Sequence, residues 1–197
     1  MSDLRARRKL RTANTIRVAA VNLVHEQGLD NVTTDMISDA AGISPRTFFN
    51  YFRYKEAALL PPTPVFEQQA IDKFLEAKAP ILDDLVELII PLTRFFSENP
   101  AMFRKLFEIS QAHPKLDTLK INAFQEFEEM VRVVIAKRLN MQDDAGEPSL
   151  IAALVTTGIR VAMERWAKRG SGAADKEIKR TFNDMKTIFS QQEWAAA

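Results

Sequence analysis

Residues 33–55, TTDMISDAAGISPRTFFNYFRYK, constrain the fold of this chain more than any other segment. The first half begins with threonines that can cap a helix, and it ends at Gly42, where a residue free to adopt positive φ lets the chain turn. The second half begins with Ser44, a good N-cap, and with Pro45, whose missing N–H costs nothing at a first helical position. The segment therefore predicts two short helices joined by a tight turn, which is the shape of a helix-turn-helix.

The second short helix has one apolar side and one polar side. Phe48 and Phe52 lie four residues apart, hence on one side, where together with Ile43 they bury this helix against the first. The opposite side carries residues that no core requires, namely Arg46, Thr47, Phe49, Asn50 and Tyr51. On this pattern alone, an ordinary helical hairpin and a DNA-binding motif explain the segment equally well.

The composition is that of a folded protein with an uneven distribution of charge. Of the 197 residues 46% are apolar, which is enough for a buried core. The net charge is only +1, yet residues 1–60 hold nine Lys or Arg against six acidic residues, whereas the remainder holds 18 against 20. The basic excess coincides with the helix-turn-helix, as binding to phosphate requires.

Several classes of protein are excluded by what the sequence lacks. The absence of cysteine excludes a disulfide framework, a thiolate zinc site and a thiol redox switch. There is no long uncharged apolar run and no secretory signal at the start, so we expect a cytoplasmic protein. The sequence has no Gly-rich phosphate loop and no nucleophile elbow, so we expect neither an enzyme nor a cofactor. The alternative of a metal sensor rests on His113 with Glu108 or Asp117, but a histidine beside a proline is usually a loop residue, and we expect no metal.

The sequence of the whole chain predicts about nine helices and no strand. Apolar periodicity predicts a first helix at 12–27 that packs on the helix-turn-helix, and the basic residues 1–11 are expected to form a disordered DNA-binding arm. Lys55 opens a fourth helix that the prolines at 61–64 interrupt. Further helices are predicted at 65–78, 81–98 with a kink at Pro91, 100–112, 115–139, 150–168 and 175–191. Phe124 and Phe189 are expected to face the core.

The amino-terminal region contains a specific combination of sequence motifs. The segments TT, IxxxAGIS, RTFFNYF and YKEAAL follow one another without a gap, and over about residues 10–60 the chain resembles the amino-terminal domain of the TetR family of bacterial transcriptional regulators. The later stretch NPAMFRKLFEISQAHPKL weakly resembles an actinobacterial, mycofactocin-type branch of that family. The resemblance implies a helix-turn-helix DNA-binding domain at 1–55 and a helical effector-binding and dimerisation domain at 56–197.

The resemblance also implies two sets of DNA-contacting positions. The start of the second short helix would meet base edges through Pro45, Arg46 and Thr47, and Arg46, bidentate to guanine, would be the main specificity determinant. The positions that match phosphate-binding residues of the family are Thr34, Phe49, Tyr51 and Lys55. Asn50 suits either purpose, and Ser44 completes the set.

A family member would also be a homodimer with a small-molecule effector. The effector, apolar or amphipathic, would lie in a cavity lined by Phe95, Phe103, Phe107, Phe127, Met130 and Trp166, with Arg94, Arg104 or Asn122 as a polar handle. The aromatic residues fit a packed core equally well. The last two helices would form the dimer interface, where small residues between 152 and 162 let a partner helix approach. An internal core helix would have the same pattern.

Together these features predict a ligand-responsive repressor that binds a palindromic operator as a dimer, with an acyl chain or acyl-CoA as one candidate effector. The alternative is a partner-controlled or architectural DNA-binding protein with no small-molecule ligand, whose core would be filled by its own side chains. In either case the prolines at 61–64 depart from the unbroken connecting helix of the family, which raises the question of how the two domains communicate.

Overall fold

The fold is all-α, as expected. The computed structural model describes residues 2–62, 64–142, 146–169 and 172–190, without the side chains of residues 2–4, 6, 7 and 117. This part of the chain contains ten α-helices, three 3-10 segments and no strand. Counting the fifth and sixth helices, which a 3-10 segment joins, as one bent helix gives the predicted nine. None of the described helices is long and apolar enough to span a bilayer.

The chain divides into two compact units. Unit 1 is drawn from Met1–Pro62 and Ala101–Ala123, and unit 2 from Thr63–Pro100 and Phe124–Ala197. These limits differ from the 1–55 and 56–197 division suggested by the sequence, which is a division by function and stays a prediction. The most unexpected feature of the compact units is that residues 101–123 belong with the amino-terminal region.

Unit 1 is built on a long first helix. It contains α1 (Ser2–Gln27), α2 (Thr34–Ala40) and α3 (Pro45–Phe49), with 3-10 segments at Leu29–Asn31 and Lys55–Leu59. Helix α1 contacts α2 and both 3-10 segments, and α2 contacts α3. The largest fully buried side chains of this region are Ile16, Val21, Val24, Leu29, Val32, Ile37 and Phe48. The predicted three-helix packing is therefore present.

The predicted disordered arm is helical instead. Helix α1 begins at Ser2 rather than near Thr12. Arg5, Arg8 and Lys9 are exposed, and their spacing places them on one side of the helix. The physical reason is that Ala, Leu, Arg and Lys are strong helix formers and that neither Gly nor Pro interrupts the sequence before Gly28. The basic residues are thus presented on a helix.

The prolines interrupt the chain where the sequence predicts. Residues 60–62 and 64–67 are not helical, and α4 (Gln68–Glu76) begins after them. A 3-10 segment at Ile90–Thr93 containing Pro91 separates α5 (Ile81–Ile89) from α6 (Arg94–Glu98), as the predicted kink requires. Helix α7 (Pro100–Ala112) and α8 (Lys115–Leu139) have the predicted limits. Proline acts locally, so its effect can be located from the sequence.

The core of unit 2 lies between α4, α5, the second part of α8, and the last two helices α9 (Gly146–Arg169) and α10 (Ala174–Ser190). It buries Phe66, Phe74, Leu85, Ile89, Phe127, Val131, Ile135, Val155, Ile178 and Phe182, among others. Two phenylalanines predicted for a core are exposed: Phe124 by 39% and Phe189 by 69%. Helical spacing defines the side of the helix on which Phe124 and Phe189 lie. It does not define whether a neighbouring helix extends far enough to cover them.

The small residues of α9 pack inside the subunit. Ala152, Thr156, Gly158 and Ala162 are all buried. A Cβ atom at Gly158 would lie 2.9 Å from Met185 Sδ and 3.2 Å from Phe182 Cζ, both on α10. The expectation that these four residues face a second subunit is therefore wrong, because they permit the close approach of α9 and α10 within one chain.

Candidate nucleic-acid interface

The turn between α2 and α3 is closed by two backbone hydrogen bonds. The Gly42 N–H donates to Asp39 O at 3.0 Å, and the Ile43 N–H donates to Ser38 O at 2.9 Å. This pair of bonds is a Schellman motif, which satisfies carbonyls at a helix end. Gly42 has a φ of 67°, in the left-handed region that glycine adopts without strain. The predicted role of Gly42 is confirmed.

Both helices begin at a hydroxyl cap. Thr33 Oγ1 accepts a hydrogen bond from the Met36 N–H at 3.2 Å, which settles the choice between the two threonines. Ser44 Oγ accepts from the Thr47 N–H at 3.1 Å and is bonded to Thr47 Oγ1 at 2.9 Å. The side chains of Ser44 and Thr47 therefore stabilise the first turn of α3.

The inner side of α3 is closed by the rings of Phe48 and Phe52. Phe48 is fully buried and Phe52 is 7% exposed, with 5.8 Å between their ring centroids. Phe49 meets Phe48 edge to face at 5.4 Å, although its own side chain is largely exposed. Such edge-to-face pairs add to the energy of area burial. The predicted burial of Phe48 and Phe52 is confirmed.

Arg17 of α1 supports this packing, which the sequence did not suggest. Its guanidinium carbon lies 5.1 Å from the Phe52 ring centroid, and Nε donates to Leu60 O at 3.0 Å while Nη1 donates to Asn14 Oδ1 at 3.3 Å. Burial lowers the pKa of Arg17 to about 10, so the group stays protonated at neutral pH. One member of the basic excess thus has a structural role. An arginine in the middle of a helix carries no sequence signal that separates it from a surface arginine.

The outer side of α3 is open to solvent. Exposed side chains at and after its start are those of Ser44, Pro45, Arg46, Phe49 and Asn50. Thr34, Thr47 and Tyr51 are half-buried. Arg53 and Tyr54, which the sequence analysis did not select, are also exposed. A cation and a ring two and three positions after Tyr51 were the signal that would have found them, because both can bind phosphate.

Lys55 differs from the other predicted DNA contacts. Its side chain is half-buried, and Nζ donates to Leu29 O at 2.6 Å and to Val32 O at 2.8 Å. An ammonium group has three N–H donors, so one remains beyond these two bonds. Lys55 therefore ties its own 3-10 segment to the connection between α1 and α2.

The residues predicted to bind an effector are divided between the units. Phe103 and Phe107 lie half-buried on α7 in unit 1, whereas Phe95, Phe127, Met130 and Trp166 belong to unit 2. The Phe127 ring packs in the core, 6.5 Å from the Phe66 centroid, and Met130 packs at its edge. The Trp166 indole N–H donates to Gly172 O at 2.9 Å.

Of the three candidate polar handles, Arg94 forms a surface ion pair with Glu98 at 2.7 Å, Asn122 is exposed and Arg104 is half-buried. The candidate metal ligand Glu108 accepts instead from His25 Nε2 at 2.8 Å. The side chain of Asp117, the other candidate, lies outside the described residues.

Two family models match the chain. Residues 16–60 match the model of bacterial regulatory proteins of the tetR family, and residues 79–190, more than half of the chain, match the MftR C-terminal domain. A Mycobacterium tuberculosis protein assigned as the mycofactocin biosynthesis transcriptional regulator MftR is 22% identical over 181 residues, which cover 90% of each chain.

Solved structures share the fold. A Syntrophomonas wolfei protein assigned as a TetR-family transcriptional regulator aligns with a TM-score of 0.60 at 14% identity, over 94% of this chain and 98% of that one. SmeT of Stenotrophomonas maltophilia, solved as a complex with triclosan, aligns with a TM-score of 0.55 at 17% identity, over 95% of both chains. The expected family resemblance is confirmed: the chain belongs to the TetR family of bacterial transcriptional regulators, which are not enzymes, and it carries an MftR-type C-terminal domain.

Proposed function

We propose that the protein is a repressor that binds a palindromic operator as a homodimer and leaves it when a small apolar or amphipathic effector binds. Residues 1–55 would form the DNA-binding domain, and residues 56–197 the effector-binding and dimerisation domain. The observation that carries the proposal is the outer side of α3, where Arg46, Phe49 and Asn50 are exposed on a helix whose inner side is buried. Such a regulator acts on the chromosome, hence in the cytoplasm.

The geometry of α3 supports the DNA contacts of this proposal. A major groove admits an α-helix, and α3 has only five residues, so its first turn is the part that can reach bases. We assign base reading to Pro45, Arg46 and Thr47. The phosphate contacts would come from the residues around them, namely Thr34, Ser44, Phe49, Tyr51 and Lys55, while Asn50 suits either purpose.

The test separates base reading from phosphate binding. Duplexes selected from a random pool identify the operator, and fluorescence anisotropy then measures affinity for its point variants at two salt concentrations. Arg46→Ala should relax discrimination at one base pair by about 1–3 kcal/mol. The matched control is Arg53→Ala, which removes another exposed arginine just beyond α3 and should weaken all duplexes alike. An unchanged base preference in Arg46→Ala would remove the assignment.

The proposed dimer rests on exposed apolar side chains of the last two helices. Leu150, Leu154, Thr157 and Val161 follow one side of α9 and are exposed or half-buried, with Leu150 exposed by 63%. On α10, Ile188 and Phe189 are exposed. A self-complementary four-helix interface would bury these side chains, and two reading helices about 34 Å apart would then fit a palindrome.

The proposed effector site lies in unit 2. The half-buried Met130, Met163 and Met185 pack against the core of unit 2. Their flexible side chains rearrange more readily than branched ones. With Phe95, Phe127 and Trp166, they would admit an apolar molecule; Phe103 and Phe107 stay predictions from the sequence. That SmeT, a relative in fold, was solved with triclosan supports ligand responsiveness.

The alternative, a partner-controlled or architectural DNA-binding protein without a small-molecule ligand, is favoured by the packing of Phe127 against Phe66. Titration of the protein–operator complex with triclosan, and separately with a medium-chain acyl-CoA, distinguishes the two functions. Release of the duplex by either compound supports an effector-responsive repressor. Retention of the duplex with both compounds at saturation supports the alternative.

A further inference from the structure

The first turns of α1 stand free of the rest of the described chain. Four consecutive residues that make up a full helical turn are all exposed, namely Arg8, Lys9, Leu10 and Arg11. Even the apolar Leu10 is exposed by 54%. The first buried residue among the described side chains of α1 is Ile16. No described part of the chain therefore covers this turn of the helix on any side.

These free turns carry a basic stripe. Its members are exposed and lie within one half of the helix circumference: Arg5, Arg8, Lys9 and Arg11. We call these four residues the α1 stripe. From Arg5 to Arg11 the stripe is about 9 Å long, because a helix rises about 1.5 Å per residue. Phosphates of one DNA strand follow one another at about 3.4 Å along the duplex axis, so the stripe can span two or more of them.

The charge of the α1 stripe opposes the helix that carries it. Arg5 lies three positions before Arg8 and four before Lys9, and like charges at these spacings repel each other on a helix surface. Positive charge near a helix N-terminus also opposes the helix macrodipole. Helices α9 and α10 have the favourable arrangement, with acidic residues in their first turns. The stripe therefore destabilises the free helix, and a polyanion beside it would relieve the repulsion.

The α1 stripe belongs to the same compact unit as the proposed DNA-reading surface. Further along α1, the guanidinium carbon of Arg17 lies 5.1 Å from the Phe52 ring centroid, and Arg53, the residue after Phe52, is exposed. The stripe begins about 9 Å along the helix axis from Arg17 and ends about 18 Å from it. Exposed positive charge thus occurs on both sides of the contact between Arg17 and Phe52.

The helical shape of these turns limits the kind of DNA contact that they can make. An α-helix with its side chains is about 10–12 Å across, whereas the minor groove of B-DNA is about 6 Å wide. A helix therefore cannot enter that groove as an extended arm does. Arg and Lys side chains can instead bind phosphate oxygens along the edge of a groove, and such contacts carry no sequence information.

We propose that the α1 stripe, as part of a continuous helix, binds backbone phosphates of the operator beside the base pairs that α3 reads. It contributes affinity without base preference. The inference rests on the proposed function and adds a further part to its DNA-binding surface. Each phosphate contact makes the affinity more sensitive to salt, with a slope of about −0.9 per contact in a double-logarithmic plot, so the contacts can be counted.

The experiment measures the affinity of the full-length protein for a selected operator duplex, by fluorescence anisotropy over a series of salt concentrations. The stripe variant replaces all four cations: Arg5→Gln, Arg8→Gln, Lys9→Gln and Arg11→Gln. A dimer carries two stripes with at least two contacts each, so the salt slope of this variant should be shallower by about 3–4. The ratio of its affinities for the operator and for point variants of the operator should equal that of the wild type.

A matched control removes four exposed cations from unit 2 and changes the net charge equally: Lys73→Gln, Lys78→Gln, Lys137→Gln and Lys176→Gln. Its salt slope should equal that of the wild type.

The helical presentation of the stripe is tested by Thr12→Pro. This substitution keeps all four cations but breaks the helix before its packed part, because proline lacks an N–H and clashes with the preceding turn. Proline suits the first position of the shortened helix, so the rest of unit 1 should fold. We expect the slope to become shallower by at least half as much as in the stripe variant.

A wild-type slope in the stripe variant would overturn the proposal. An equal loss in the unit 2 control would overturn it too, since net charge would then explain the effect. A smaller loss than expected in Thr12→Pro would assign the contacts to a flexible arm rather than to a helix, and a changed base preference in the stripe variant would place its cations at base edges. A wild-type protein that binds no duplex refutes the proposed function instead, which separates the two failures.

Discussion

Lys55 shows how one side chain can combine a structural role with a proposed functional one. Its ammonium group bridges two carbonyls, those of Leu29 and Val32, at the connection between α1 and α2. Hydrogen bonds from a charged donor contribute more than neutral ones, and here they satisfy acceptors in a partly buried place. The position that resembles a phosphate-binding lysine of the family therefore also shapes the loop before the helix-turn-helix.

A substitution of Lys55 should consequently reduce stability as well as DNA affinity. Lys55→Met removes both bonds, and we expect the free energy of unfolding to fall by about 2–4 kcal/mol. Urea unfolding followed by circular dichroism measures the loss. Lys9→Met is the control, because Lys9 is exposed on α1 and its substitution should change stability by no more than about 0.5 kcal/mol. Equal stability of the two variants would mean that Lys55 acts on DNA alone.

At the scale of secondary-structure elements, α9 and α10 pack closely at Gly158. Gly158→Ala places a methyl group 2.9 Å from Met185 Sδ and 3.2 Å from Phe182 Cζ. Overpacking costs about 1–3 kcal/mol, and the better helix propensity of Ala returns about 1 kcal/mol. We therefore expect a net destabilisation of about 1 kcal/mol in urea unfolding, moderated by the flexible Met185 side chain.

The matched control for this substitution lies on the same helix. Gly146 is the first residue of α9, and a Cβ atom there would meet nothing within 4 Å. Gly146→Ala should leave stability unchanged or raise it by up to about 1 kcal/mol. If Gly158→Ala were as stable as Gly146→Ala, α9 and α10 would not approach as closely as the structure indicates.

At the scale of the whole molecule, the exposed apolar side chains of the last two helices should control both assembly and DNA binding. Leu150→Glu with Phe189→Glu places charges where the proposed dimer would bury apolar groups, at a cost of several kcal/mol. We expect a monomer in sedimentation velocity and an operator affinity at least about a hundredfold lower, since one subunit reads only half a palindrome. Ile121→Glu is the control: Ile121 is 55% exposed on α8, outside the last two helices. A dimer that survives the double substitution but not Ile121→Glu would place the interface elsewhere.

The sequence by itself determined the features whose causes are local. The cap at Ser44, the turn at Gly42 and the interruptions at 61–64 and at Pro91 depend on residues within a few positions, so they were predicted in place, and Thr33 was one of two predicted caps. The sequence motifs within about residues 10–60 were also sufficient to recognise the family.

Only the tertiary structure decided which surfaces meet. The partners of Lys55, Arg17 and Lys105 lie 26, 43 and 83 residues away in the chain, and no periodic pattern encodes such distances. Helical spacing predicted that Phe189 faces the core and that Gly158 faces a second subunit, yet Phe189 is exposed and Gly158 is covered by α10. Periodicity reports the direction in which a side chain points, whereas burial depends on what the rest of the chain brings to that side.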